Sequence, residues 1–200
     1  KNLSREEGLI ERILCLITLR WIAITGVVAT ILFAKGVLGL PLPLLPLYSV
    51  AAALFAYNLI FFLLPKSQAA SYRMANLQIS LDLVSLVMLI HFSGGIENPF
   101  IFYFVFHMII ASILLSRRAS FLQATFVAIL FSLVVGMEDL GVLKHYCLEG
   151  FVAGDLHDNL THIAGVLFAL ISTLYLAVYM ASSISNRLRE REQALREANE

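Results

Sequence analysis

The stretch Gly94-Gly95-Ile96-Glu97-Asn98-Pro99-Phe100, preceded by His91-Phe92-Ser93 and followed by Ile101-Phe102-Tyr103-Phe104-Val105-Phe106-His107, gathers many of the groups in this chain suited to holding a ligand. Ser-Gly-Gly lets a helix end and the backbone reverse, Pro99 suits the first turn of the next helix, and Asn98 suits its N-cap. A helix N-terminus offers N–H groups to an electron-rich atom, and Glu97 and Asn98 add an acid and an amide beside it. At helical spacing Phe100, Tyr103, Phe104, His107 and Ala111 fall on one stripe, and Ile101, Phe102, Val105 and Ile109 largely on another. The first stripe suits a flat ring, because aromatic faces stack and His107, Tyr103 or Asn98 can donate to a carbonyl. The plainer reading of the same residues is a tight helix-to-helix turn with aromatic packing.

Two further groups have chemical potential. Arg20, Asn58 and Asp82 lie within apolar stretches, each six or seven residues from one end and so roughly 10 Å deep at about 1.5 Å per residue. A charge in hydrocarbon is costly and normally faces a partner, so an Arg20–Asp82 pair with Asn58 nearby is expected, acting first as a fix on helix register. A polar belt comprises His91, Glu97, Glu138, Asp139, His145, Cys147, Glu149, Asp155, His157, Asp158 and His162. Imidazole, thiolate and carboxylate ligate metals, but His157 and His162 are five apart, not the four that align two ligands on a helix. A solvated acidic loop is the expectation there. Cys15 and Cys147 are too few and too distant for a disulfide framework or zinc knuckle. No phosphate-binding glycine loop with lysine, no Gly-x-Ser-x-Gly and no His-Glu-x-x-His occurs, so no catalytic residue is assigned.

The elements that must position these groups are membrane helices. Of 200 residues, 60% are apolar and 14% charged, and mean hydropathy is +0.85. An ordinary water-soluble globule is excluded, and a net charge of zero leaves nothing to attract nucleic acid. Six stretches are long enough to approach the roughly 30 Å of a bilayer core. They are placed at Ile13–Phe33, Leu44–Leu64, Asn76–Phe92, Pro99–Leu115, Ala119–Leu140 and Leu160–Ile184. The fold expected is all-α, a six-transmembrane-helix bundle with a cytoplasmic C-terminal helix extension. The first span is too long and too interrupted, by Arg20, for a signal peptide. Runs such as Leu83 to Ile90 do not alternate as barrel strands do.

Eleven of the fourteen Lys and Arg fall in connections on one side, while Lys35 and Lys144 fall on the other. The positive-inside rule then puts both termini in the cytoplasm. Residues 1–12 read as a cytoplasmic amphipathic lead-in, 13–184 as the membrane domain, and 185–200 as the start of a signalling helix. Ile184, Leu188, Leu195 and Ala198 follow a heptad seam with Arg191 at its remaining place; the pattern alone suits a solvated single helix equally, and the position of the segment where the chain leaves the membrane favours a homodimer through a short coiled coil. The chain opens at Lys1 without Met and closes in a charged run, so it is expected to belong to a longer protein.

Gly94-Gly95-Ile96-Glu97-Asn98-Pro99-Phe100 resembles the Gly-Gly-x-x-Asn-Pro-Phe heptapeptide of the RegB/PrrB group of redox-responsive sensor histidine kinases. Leu19-Arg20-Trp21-Ile22-Ala23 and Leu81-Asp82-Leu83 ahead of His91-Phe92-Ser93 are also similar to that group. The resemblance implies a six-span membrane sensor, quinone as the sensed ligand, a kinase region after Glu200, and a cytoplasmic response regulator as partner. It places the quinone near His91, Gly94, Gly95, Glu97, Asn98, Pro99, Phe100, Tyr103, Phe104 and His107. The variable pair is Ile96-Glu97 here, an acid where quinone specificity is set. The group's redox-active cysteine lies in its kinase region and corresponds to neither Cys15 nor Cys147. The rival reading is a haem- or metal-binding integral membrane redox protein using His91, His107, His145, His157 or His162. A small transporter is disfavoured, since no inverted repeat or matched helix break is found.

Overall fold

The computed structural model describes residues 2–64, 71–147 and 159–198. Among them the regular structure is entirely helical: α1 Asn2–Gly36, α2 Leu44–Leu63, α3 Tyr72–His91, α4 Tyr103–Leu114, α5 Arg117–Asp139 and α6 Leu160–Ala198. Two short 3₁₀ turns, Gly95–Glu97 and Pro99–Phe102, link α3 to α4. Helices are what these sequences must form in lipid, where no water is available to satisfy backbone N–H and C=O groups. Helix starts are marked chemically. The Ser71 side chain accepts from the Arg73 N–H, Ser116 from Ala119, and Asn159 from Thr161 and His162, as N-caps do.

Among the described residues, five helices are long and apolar enough to cross a membrane, and a shorter apolar segment runs over Pro99–Leu114. Its four 3₁₀ residues rise faster than α residues, so the segment reaches roughly 26 Å, close to the hydrocarbon thickness. Six passes return the chain to the side on which it began. One end of the bundle carries Arg73, Arg117, Arg118, the start of α1 and the end of α6; the opposite end carries Lys35, the Gly-Gly turn and Lys144.

The core lies among α3, α4, α5 and α6, with α4 packed most extensively on α6. Leu83, Phe104, Met108, Phe131 and Leu174 are all essentially inaccessible. The α1–α2 hairpin joins this group through α2 against α3. Large apolar side chains such as Ile22, Phe62, Leu122, Ile129 and Phe168 lie on the outside, as expected where the surrounding solvent is lipid.

Helix α6 runs unbroken through both the sixth span and the exit segment, as the helix extension drawn on the sequence does. Two features differ from the sequence expectation. Helix α1 runs from Asn2 through the first span without a break, so the lead-in is continuous with that span. In α4 the core line is Ile101, Phe104, Met108, Ala111 and Leu115, while Phe100, Phe102, Tyr103 and Phe106 are exposed. The expected aromatic stripe is therefore split, with Phe104 and Ala111 inward and Phe100 and Tyr103 outward. At about 100° per residue the buried face is turned roughly 60° from the one drawn on the sequence.

Candidate functional site

The Gly-Gly turn is held by its own side chains. Gly94 and Gly95 adopt φ of 114° and 54°, a region that side chains with a Cβ disfavour. Asn98 is buried and engaged three ways: its amide donates to the Ser93 carbonyl at 2.7 Å and to Ser93 Oγ at 2.5 Å, and its oxygen caps the Phe100 N–H at 2.8 Å. Pro99 opens the second 3₁₀ turn. Asn98 thus fixes the corner's shape. Beyond it, Phe100, Tyr103 and Phe106 form an exposed row with ring centroids 5.4 and 5.8 Å apart. One turn on, His107 Nδ1 donates to the Tyr103 carbonyl at 2.9 Å.

Behind the corner lies a buried ionisable quartet. Helix α3 ends in His91 and α5 ends near Glu138; the first 3₁₀ turn supplies Glu97, and the segment after α5 supplies His145. His91 Nδ1 donates to Glu138 Oε1 in a very short bond, and His145 Nδ1 donates to Glu138 Oε2 at 2.7 Å. His145 Nε2 faces Glu97 Oε2 at 3.8 Å. All four side chains are nine-tenths or more buried, so the expectation of a solvated acidic loop is corrected for these residues. The reason is register: Val127, Phe131, Val135 and Glu138 lie on one face of α5, and Leu83, Val87 and His91 on one face of α3. Tyr146 closes the group, its ring edge-on to His91 and Phe92, each at 5.6 Å.

Burial pulls the His145 pKa down, but its hydrogen bond to Glu138, the charge of Glu138 and the nearby Glu97 together raise it above the ordinary imidazole value. The backbone follows the quartet closely. A Cβ on Gly95 would lie 2.6 Å from Glu138 Oε2 and 3.1 Å from His145 Cε1. Among the described residues no group of three or more His, Cys, Asp and Glu is arranged to hold a metal ion. Glu149, Asp155, His157 and Asp158 lie outside the described residues.

A second polar centre lies in the half of the bundle nearer the arginine-rich end. Arg20 reaches Asp82 in a two-pronged contact, Nε to Oδ1 and Nη2 to Oδ2, both at 2.7 Å. Its Nη1 also donates to Asn58 at 3.0 Å and to Gln78 at 3.3 Å. The Tyr57 hydroxyl donates to Asp82 at 2.6 Å, and the guanidinium lies 5.0 Å from the Tyr57 ring centroid. Gln78 and Tyr57 were not anticipated, although Gln78 is one helical turn before Asp82 and Tyr57 is adjacent to Asn58. This network ties α1, α2 and α3 together with the Arg20 charge matched by Asp82.

The PilS-like transmembrane domain family matches residues 3–195. The chain belongs to that family. Sensor histidine kinase RegB of Cereibacter sphaeroides is 30% identical over 110 residues, covering 54% of this chain and 24% of that protein. The chain therefore spans only about a quarter of that relative's length. No solved structure matches.

Within this PilS-like domain the sequence-derived candidates divide into three sets. His91 and Glu97 join the buried quartet, and Gly95 abuts it. Gly94, Asn98 and Pro99 shape the turn, and Phe104 packs in the core against Phe131. Phe100, Tyr103 and His107 remain on the side of α4 that faces away from the core. A shallow groove lined by Arg117, Arg118, Phe121, Leu122 and Thr125 lies at the arginine-rich end, remote in the fold from the corner.

Proposed function

We propose that this PilS-like domain is the membrane input module of a sensor histidine kinase, lying in a bacterial inner membrane with both termini in the cytoplasm. The observation that carries the reading is α6. It is a single helix of 39 residues, packed along α4 and α5 and running on past the bundle to Ala198. A displacement of α4 at the corner reaches the chain's C-terminal segment through one rigid element. Exposed Ile184, Leu188 and Leu195 offer an apolar seam for a homodimer there, with a kinase region and response regulator beyond.

The ligand we infer is a quinone or a similarly flat lipid-soluble molecule resting on Phe100, Tyr103 and Phe106. These rings face outward, so a molecule diffusing in the bilayer reaches them sideways. Chemistry supports sensitivity to redox state. A neutral imidazole donating through Nδ1, as His107 does to Tyr103, presents Nε2 as an acceptor. That nitrogen takes a bond from a quinol hydroxyl, whereas an oxidised carbonyl offers no hydrogen to it. Such a difference shifts a conformational equilibrium tenfold for about 1.4 kcal/mol. Asn98, Glu97 and His91 would then act by holding the corner, not by touching the ligand.

Photolabelling of the full-length membrane protein with an azido-quinone tests this reading. Label is expected in the peptide containing residues 99–107 and is competed by excess unmodified quinone. Label spread over the lipid-facing surface without competition would overturn it.

A further inference from the structure

We propose that the His91–Glu138–His145–Glu97 quartet is a proton-operated latch at the arginine-poor end of the bundle, closed when His145 holds a proton and loosened when it loses it. This inference does not depend on the quinone reading, because its ligand is the proton and its side chains are buried whereas the aromatic row is exposed.

The argument begins with charge. Two carboxylates and two imidazoles occupy one buried site. With His145 neutral, the carboxylates of Glu97 and Glu138 face an uncharged ring, an unfavourable arrangement at low dielectric. A proton on His145 offsets part of that charge, while its Nδ1 keeps its bond to Glu138. The quartet also has mechanical consequence. Its four members come from the end of α3, the turn before α4, the end of α5 and the segment after α5, so loosening it releases the α3–α4 corner from α5.

Among the described residues, the other titratable groups at this end include Lys35, Lys144, Asp139 and His162. Lys144 is held over the Tyr146 ring at 5.2 Å, Asp139 is exposed, and His162 stands in the first turn of α6. Gly95, His91's ring neighbour Phe92 and Tyr146 also lie against the site. The direction follows from linkage. An imidazole whose affinity for protons is higher in the folded than the unfolded chain contributes stability that is fully present below about pH 6.5 and is lost as pH rises through the folded value.

The test uses the chain in lipid nanodiscs, with histidine NMR titration and thermal unfolding followed from pH 6 to pH 9. His145 is expected to titrate above pH 6.5, and the melting temperature to fall across the same window. Glu97→Gln removes one negative charge and leaves both Glu138 bonds in place, so it is expected to lower the His145 midpoint by about half a pH unit or more and to move the melting profile with it. Asp139→Asn is expected to alter neither. A His145 midpoint at or below 6.5, or identical profiles in wild type and Glu97→Gln, would overturn the proposal. So would loss of the pH dependence on adding EDTA, which would assign the site to a divalent cation.

Discussion

Gly95 carries the tightest constraint at the corner, because it combines a positive φ with a close approach to Glu138 and His145. Gly95→Ala has to accept roughly 1–2 kcal/mol of left-handed backbone cost and also displace the carboxylate. Its unfolding free energy in nanodiscs should drop by about 2 kcal/mol or more. Gly26→Ala, in mid-helix with open space around it, should be neutral or slightly stabilising. Asp82 is a different case. Removing it by Asp82→Ala leaves the Arg20 guanidinium buried with only neutral partners, and such losses run to about 3–5 kcal/mol. Asp82→Asn, which retains an acceptor, should cost less, and Arg20→Leu combined with Asp82→Ala should recover part of the loss in the same unfolding measurement. This pairing could be read from the sequence because a charge inside an apolar run must find an opposite charge. The buried state of Glu138 and His145 was harder to read, since both fall among polar residues past an apolar stretch, where solvation is the default. Helical register from Val127 through Phe131 and Val135 was the available signal.

Among the elements, α6 is the one whose continuity matters most to the functional reading. Asn186→Pro would remove a backbone hydrogen bond and clash with the preceding turn, at about 3 kcal/mol or more. In the full-length protein it should abolish ligand-dependent phosphorylation while azido-quinone labelling of the corner persists; signalling retained in this variant would argue against transmission through α6. Helix positions were legible because each apolar run has its own limits, and Leu44–Leu63 differs from expectation by a single residue. The facing of α4 was not. Residues 99–115 are apolar on every side, lipid is as apolar as the core, and the 3₁₀ turn at Pro99–Phe102 advances with a shorter period than the α-helix that follows. Hydropathy therefore contains no phase, and only packing against α6 decides that Phe104 goes in and Tyr103 goes out.

At the scale of the molecule, six passes and the one-sided arginine distribution together place the corner, the quartet and Cys147 at the same end. In intact cells expressing a Cys15→Ser variant, a membrane-impermeant maleimide should modify Cys147, an exposed thiol, from outside; modification only after lysis would reverse the assigned orientation. The overall architecture was readable because solvent choice dominates: a chain with 60% apolar residues divided into runs of bilayer length has few alternatives. The side on which a ligand meets the bundle was not readable, since it depends on how helices rotate against one another. The most direct measurement is autophosphorylation of the full-length protein in nanodiscs containing either oxidised or reduced quinone. The rates should differ about tenfold, an effect of about 1.4 kcal/mol, and the difference should vanish in a Tyr103→Ala, Phe106→Ala double variant. Equal rates in the two quinone states, or a ratio untouched by the double variant, would contradict the account.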